Sequence, residues 1–476
     1  MEYNRFKNKS VAILGLAIEG IAVAKFLRDK VSQITILDQR NDHEIIEKAE
    51  PDLLHDIEAI LTDGSVKKIL GDGYLEHLAE FDIIFRTPGI SSLHPKIVEA
   101  RERGVEISSQ TKLFFELSPS PTIGVTGTKG KGTTSSLVYR MIKEGSVGGE
   151  SYLVGNIGEP AATLLPVLAP ESNVVFELSS FQLMDLDRSP HIAIVTNLDV
   201  EHQDYHHSIL EYQQAKMNIV LHQERGDLVI LNRRSTFPAA WLSGIKSKIS
   251  YFSSVEDSTC DAYIRDVAGD IEVILRVAGE EEVICRQSEI MLLGRHNLEN
   301  IAASAIAASE IGVPLVAIRK VAKEFLGLPH RLELVATIGG VTYVDDSFGT
   351  TPGPTMAAIS SLKKDKILIL GGSSKGADFS ELAQKIVSSN VVGVVLIGAE
   401  AERIRQSLLK FGYNKELVKG GETIEEVIAN ANNLAKSGDV VVLSPACASF
   451  GMFKNYKDRG EKFKSAVLSL KASKPR

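Results

Sequence analysis

The segment at residues 124–134, GVTGTKGKGTT, places glycines and lysines between an apolar run, TIGVT, and a helical pattern that opens near Lys131. Strand, glycine loop and helix in that order form an anion site. Glycines at 127, 130 and 132 let main-chain N–H groups converge on phosphate oxygens without Cβ obstruction, and the helix N-terminus adds partial positive charge. Thr128 and Lys129 complete the loop, Lys131 is placed to neutralise terminal phosphates, and Thr133 or Thr134 offers a hydroxyl to magnesium. Only two residues separate Gly127 from the Gly130-Lys131 pair, so the loop is shorter than the usual Walker pattern. The context requires a parallel α/β sheet around it.

Before this loop the chain already reads as βαβ: SVAILG at 10–15, the amphipathic IEGIAVAKFLRD, then ITILD. Strands FDIIF and VEIS continue that pattern to the Pro/Ser punctuation of SPSPT, which predicts a first, Rossmann-like domain over 1–117. After the loop come the buried-looking strands NVVFELS, HIAIVTN and DLVILN, then two helical stretches ending near Leu326. A central P-loop domain over 118–326 follows. From GLPHR onward, strands VTYVDD, KILILGG, VVGVVLIG and DVVVLSP alternate with helices, predicting a parallel sheet and a C-terminal Rossmann-like domain over 327–476. The fold class is α/β in three tandem domains, consistent with 476 residues at about 150 per domain.

Composition narrows the partners. Apolar residues make up 44% and charged residues 24%, which suits a packed globular chain. A net charge of -8 without a basic run leaves no footprint for nucleic acid. The N-terminus meets a glycine-broken strand too early for a signal peptide, and no membrane span is expected, so a cytoplasmic monomer is the expectation. Cys260, Cys285 and Cys447 form no CxxC pair and read as free, buried thiols.

Individual residues suggest more. Glu177 ends the apolar strand VVFELSS, where a carboxylate is unexpected unless paired or holding a cation, with magnesium the natural candidate. Lys375 lies in a glycine-rich loop after KILIL, at a strand end where α/β sheets bind ligands. GLAIEG, with Asp38 after the second strand, looks like a dinucleotide fingerprint, but Ala17 replaces the second glycine and weakens the case for NAD.

The short GTxGK loop resembles that of the Mur ligases and the folylpolyglutamate synthetases. Over nearly the whole chain, further segments in order resemble the Mur ligases that attach glutamate to UDP-N-acetylmuramoyl-L-alanine. They include GLAIEG, TPGI, GNIGEP, ELSSFQL, DVEHQDYH, YQQAKMNI, GRHNLENIAA, GLPHR, VDDS, GGSSKGADFS, and SPACASF followed by FKNYKDRG. The resemblance implies an ATP-dependent, amide-forming, ADP-producing ligase of peptidoglycan synthesis. It implies two magnesium ions held through Thr133, Glu177, His202 and Lys216, with Lys216 carbamylated by carbon dioxide. Thr133 is favoured because Gly132 stands where Mur ligases commonly carry Ser or Thr. A carbamate forms on a neutral amine, the state that burial favours.

The same resemblance places ATP on residues 127–133 with Asn297, Asn300, Arg331 and Asp346, and so between the central and C-terminal domains. It places the nucleotide-sugar substrate on Ile18, Glu19 and Asp38, with Asn156, Ser179 and Gln182 also on the substrate. Thr350, Lys375, Ser449, Phe450 and Tyr456 belong to the same set, with Lys375 and Ser449 on the incoming glutamate.

One departure stands out. The chain reads DDSFGTTPGPT where D-glutamate-adding enzymes read DSKATN, so Phe348 replaces a lysine. D-glutamate is the expectation, and an L-glutamate-adding variant is the alternative that this position raises. A folylpolyglutamate-type ligase, an inactive ligase-fold binding protein and an NAD-dependent oxidoreductase are the more distant readings. The base that deprotonates the amine stays open, with His202 a candidate in competition with its metal role.

Overall fold

The computed structural model describes residues 3–184, 186–198, 208–292, 294–374 and 376–472. Three sheets account for the strands. The first contains β1 (Ser10–Leu14), β2 (Gln33–Asp38), β3 (Val66–Leu70), β4 (Ile83–Arg86) and β5 (Glu106–Ser108), all parallel in the order β3-β2-β1-β4-β5. β1 and β4 are almost wholly buried, as expected for strands covered on both faces by helices.

The second sheet has nine strands: β6 (Thr122–Thr126), β7 (Ser151–Gly155), β8 (Asn173–Glu177), β9 (Ile192–Val195), β10 (Leu228–Asn232), β11 (Lys248–Ser253), β12 (Ala262–Val267), β13 (Asp270–Val277) and β14 (Glu280–Arg286). Their order is β14-β13-β12-β11-β10-β9-β6-β8-β7. β6 therefore lies between β9 and β8, with Thr126 opposite Val195 and Val125 opposite Glu177. That crossover is the crevice at which open α/β sheets bind ligands. The antiparallel end, β12 to β14, is not visible in strand–helix alternation. Its turns, Ala268-Gly269 and Ala278-Gly279, have positive φ at both residues, the two-residue hairpin geometry that matches strand twist.

The third sheet holds β15 (Glu333–Ile338), β16 (Val341–Asp345), β17 (Lys366–Gly371), β18 (Val391–Ile397), β19 (Glu416–Lys419) and β20 (Val440–Leu443) in the order β15-β16-β20-β17-β18-β19. It is parallel except at β15, which the Gly339-Gly340 turn folds back onto β16.

Two compact units result: Met1–Arg286 with Leu298–Ala322, and Gln287–Asn297 with Lys323–Arg476. The first unit carries the first two sheets, whose helices share one apolar core running from Val11 and Ile13 to Phe176 and Val195. Phe114 and Phe115 pack on Phe176 within that core, at ring-centroid separations of 5.4 and 5.6 Å. In the second unit the faces of the third sheet bury separate apolar clusters, one around Leu368 and Leu396 and one around Ile369 and Phe463. Among the described residues, no helix is long and apolar enough to cross a membrane.

Candidate active site

β6 delivers the chain into the loop at 127–130, and the helix Lys131–Gly145 leaves it. Two glycines are required sterically. Gly127 has φ +145°, and a Cβ there would meet Thr196 Oγ1 at 1.9 Å; Gly130 has φ +84°, and a Cβ would meet Asn300 Oδ1 at 2.4 Å. Lys131 curls over the turn, donating from Nζ to the Gly127 and Thr128 carbonyls at 3.0 and 3.1 Å. Lys129 is exposed, Thr128 is buried, and Gly132 is buried in the first helical turn. Thr133 is half-buried, whereas the Thr134 hydroxyl is buried and donates to Asn300 Oδ1 at 3.3 Å.

Neighbouring strands supply the floor. Glu177, at the end of β8, is 3% exposed beside the loop strand, and the Leu178 amide donates to the Val125 carbonyl at 2.9 Å. On the helix Ile209–Leu221, Lys216 is 1% exposed. Its Nζ donates to Gly127 O at 2.9 Å and Thr126 Oγ1 at 3.2 Å, and it lies 4.8 Å from the Tyr212 ring centroid. An isolated lysine on a helix is ordinarily solvated, so periodicity alone could not place it here. Lys131, Glu177 and Lys216 thus belong to one neighbourhood of the second sheet. His202 lies outside the described residues.

Three residues of this site escape the sequence reading. Asn197 Oδ1 accepts from the Thr128 and Lys129 amides at 3.1 and 2.8 Å. Thr196 Oγ1 donates to the Lys129 carbonyl at 2.6 Å, and Tyr212 OH pairs with Thr128 Oγ1 at 3.1 Å. The available signal was the polar Thr-Asn pair closing the apolar strand HIAIV.

The residues expected around the nucleotide sugar also fall in the first unit. Ile18 is exposed at the start of the helix Ile18–Leu27. Asp38 is buried, accepts the Leu16 amide at 2.9 Å and pairs with Arg40 at 2.7 Å. Burial pushes its carboxyl up, but Arg40 and the Leu16 amide outweigh that and hold it below the ordinary value. Glu19 turns inward and accepts from Gln182 Nε2 at 3.0 Å; burial raises its carboxyl despite that bond and the nearby Arg86. Gln182 closes a capping box with Ser179, and exposed Asn156 donates its amide to the Glu177 carbonyl at 3.2 Å. Asn300 is buried in this unit.

The second unit gathers a separate set. Asn297 is buried on the first turn of the helix His296–Glu310. Asp346 follows β16, accepting from Ser444 Oγ at 2.6 Å and from the Leu332 amide at 3.2 Å. Burial pushes its carboxyl up to about 7, with Asp345 adding to the shift and Ser444, the Leu332 amide and Arg331 opposing it. Arg331 is exposed, and its Cζ lies 3.9 Å from the centroid of Phe348. Thr350 is half-buried after Phe348, Ser449 is buried, Phe450 is exposed, and Tyr456 packs edge-on to Phe348. Lys375 lies outside the described residues.

Buried Arg459 binds this second set together. Its guanidinium donates to Ser347 Oγ at 2.9 Å, to Ser347 O at 2.8 Å and to Cys447 O at 3.2 Å. Burial lowers the Arg459 pKa to about 10. Cys447 is a buried core thiol, as are Cys260 and Cys285. His330, Glu333 and Asp345 cluster nearby, but Asp345 pairs with His330 and the Ser347 amide, and Glu333 takes the His330 amide and Lys464. That cluster is a structural hydrogen-bond network.

The Mur ligase MurD-like N-terminal domain matches residues 9–109, the Mur ligase middle domain 125–308, and the Mur ligase glutamate ligase domain 330–447. A UDP-N-acetylmuramoylalanine–D-glutamate ligase of Symbiobacterium thermophilum is 37% identical over 461 residues, covering 96% of this chain and 98% of that protein. The enzyme of the same name from Acetivibrio thermocellus is 37% identical over 98% of both chains. The fold is shared by the UDP-N-acetylmuramate-alanine ligase of Thermotoga maritima, at TM-score 0.60 and 17% identity over 98% of this chain and 100% of that one. A MurF ligase of Thermotoga maritima, solved in complex with ADP, shares it at TM-score 0.55 and 15% identity over 98% of this chain and 97% of that one. With three family domains in register along its length and relatives of this identity over almost all of it, the chain belongs to the Mur ligase family.

Proposed function

We propose that this protein joins D-glutamate to the carboxyl group of UDP-N-acetylmuramoyl-L-alanine, using ATP, as a step of peptidoglycan precursor synthesis in the cytoplasm. The observation that carries the reading is the loop at 127–131 with the Lys131 and Lys216 amines both at the Gly127 carbonyl and Glu177 on the adjoining strand. The names of its 37% identical relatives favour D-glutamate over the L-isomer that Phe348 raises, and their full-length match disfavours a folate-type ligase. Residues 1–117 would carry the nucleotide sugar, 118–326 the triphosphate and 327–476 the amino acid.

In the first step a substrate carboxylate oxygen attacks the γ-phosphorus of ATP in line, the bond to the bridging oxygen breaks, and ADP departs. An acyl phosphate remains. Lys131 and the amides of the first helical turn that it opens would receive the charge that develops on the transferred group. The amine of glutamate then attacks the acyl carbon, its proton passes to a base for which His202 is the candidate, and phosphate leaves as the amide forms.

Hard oxygen donors suit magnesium, and the buried Glu177 carboxylate and half-buried Thr133 hydroxyl provide them, while the Thr134 hydroxyl is directed to Asn300. Magnesium there would neutralise phosphate charge. Lys216 contributes an oxygen only as a carbamate, formed when its neutral amine adds to carbon dioxide and releases a proton. His202 is the remaining candidate ligand.

The test is an end-point assay containing UDP-N-acetylmuramoyl-L-alanine, ATP and magnesium, with D- or L-glutamate as the only amino acid and product mass as readout. Product with D-glutamate and none with Lys131→Ala is expected. Product with L-glutamate alone, or unchanged turnover in the variant, overturns the reading.

A further inference from the structure

Phe348 occupies the one motif position at which this chain departs from the lysine expected there, and the structure shows what the ring does instead. The exposed Arg331 guanidinium lies over the Phe348 face, 3.9 Å from its centroid. Tyr456 meets Phe348 edge-on, with centroids 5.0 Å apart and planes at 86°. Two hydrogen bonds hold the Arg331 and Phe348 loops in register: the Phe348 amide donates to the His330 carbonyl at 3.0 Å, and the Leu332 amide donates to Asp346 Oδ1 at 3.2 Å. The Tyr456 carbonyl in turn accepts from Ser347 Oγ at 2.8 Å. The ring therefore sits on a fixed loop, and the arginine beside it is flanked by hydrogen bonds on both sides.

A long arginine side chain in water samples many rotamers, and binding an anion freezes them at a cost. A cation over an aromatic face is held in place by the ring quadrupole. We propose that Phe348 is a positioning residue that holds Arg331 in a phosphate-receiving orientation, with Tyr456 bracing the ring. The inference rests on the reading of Arg331 as a nucleotide-phosphate ligand. It assigns Phe348 to nucleotide affinity rather than to the choice of amino acid.

The test compares Phe348→Leu, which keeps apolar bulk without a π face, and Phe348→Tyr, which restores the face, each in the wild-type and Arg331→Ala backgrounds. Phe348→Leu is expected to raise KM for ATP about 3- to 10-fold, with KM for glutamate unchanged and Phe348→Tyr close to wild type. In the Arg331→Ala background the same change should have no further effect on KM for ATP. An unchanged KM for ATP in Phe348→Leu, a shift confined to glutamate, or an equal loss in both backgrounds overturns the inference. If Arg331→Ala itself leaves KM for ATP unchanged in an active enzyme, the reading of Arg331 fails instead. Thermal unfolding of each variant checks that the loop remains folded.

Discussion

Lys216 Nζ donates to the Gly127 carbonyl at 2.9 Å, so a helix lysine that is 1% exposed is tied to the floor of the phosphate loop. Its second bond, to Thr126 Oγ1 at 3.2 Å, fixes the amine at the end of the loop strand. A lysine buried against the phosphate loop is seldom kept for packing alone, and its retention at this point argues for a role in the reaction. Replacement by alanine is expected to reduce turnover by about 100-fold or more. If the active form is a carbamate, acetate or another short carboxylate should restore part of the lost rate, and steady-state phosphate release with and without acetate measures this.

Gly127→Ala places a methyl group 1.9 Å from Thr196 Oγ1 and forces φ +145° on an alanine. The loop must shift, and destabilisation of about 1–3 kcal/mol is expected together with at least a tenfold weaker affinity for ATP, or about 1.4 kcal/mol. Chemical denaturation and calorimetric titration with a non-hydrolysable ATP analogue read the two effects separately.

Asp346 gives stability a defined pH dependence. Burial raises its carboxyl to about 7 in the folded protein, against an ordinary value of 3.8. Between those values the folded state keeps a proton that the unfolded state releases, so this residue's contribution falls as pH rises from about 4 to about 7 and then levels off. The span is on the order of a few kcal/mol. Asp346→Asn should flatten that part of the curve, and urea unfolding across pH 4–8 shows whether it does.

Arg459→Met removes three hydrogen bonds, two of them to the Ser347 and Cys447 carbonyls. A loss of about 2–4 kcal/mol in the second unit is expected. Hydrogen exchange should show the loosening at residues 344–350 and 446–449. Unaltered protection there would contradict the bracing role.

Disrupting Asn197 probes a partner that lies far from the loop in sequence. Asn197→Ala leaves the Thr128 and Lys129 amides without their 3.1 and 2.8 Å acceptor contacts. KM for ATP should rise about 5-fold or more, while KM for glutamate stays unchanged, in the same phosphate-release assay.

By itself the sequence determined the α/β class, the strand–glycine–helix loop and the ordered motifs, because these depend on short-range pattern and on the conformational range of glycine. Tertiary structure alone decided which groups meet. Placing β6 between β8 and β9 brings Thr126, Glu177 and Thr196 together from three distant segments, and the helix at 209–221 then sets Lys216 against that junction. No local period encodes a crossover. The antiparallel β12–β14 end and the stacking of Arg331 on Phe348 were likewise illegible, since one depends on paired positive-φ turns and the other on two loops held in register by hydrogen bonds between His330 and Phe348 and between Leu332 and Asp346.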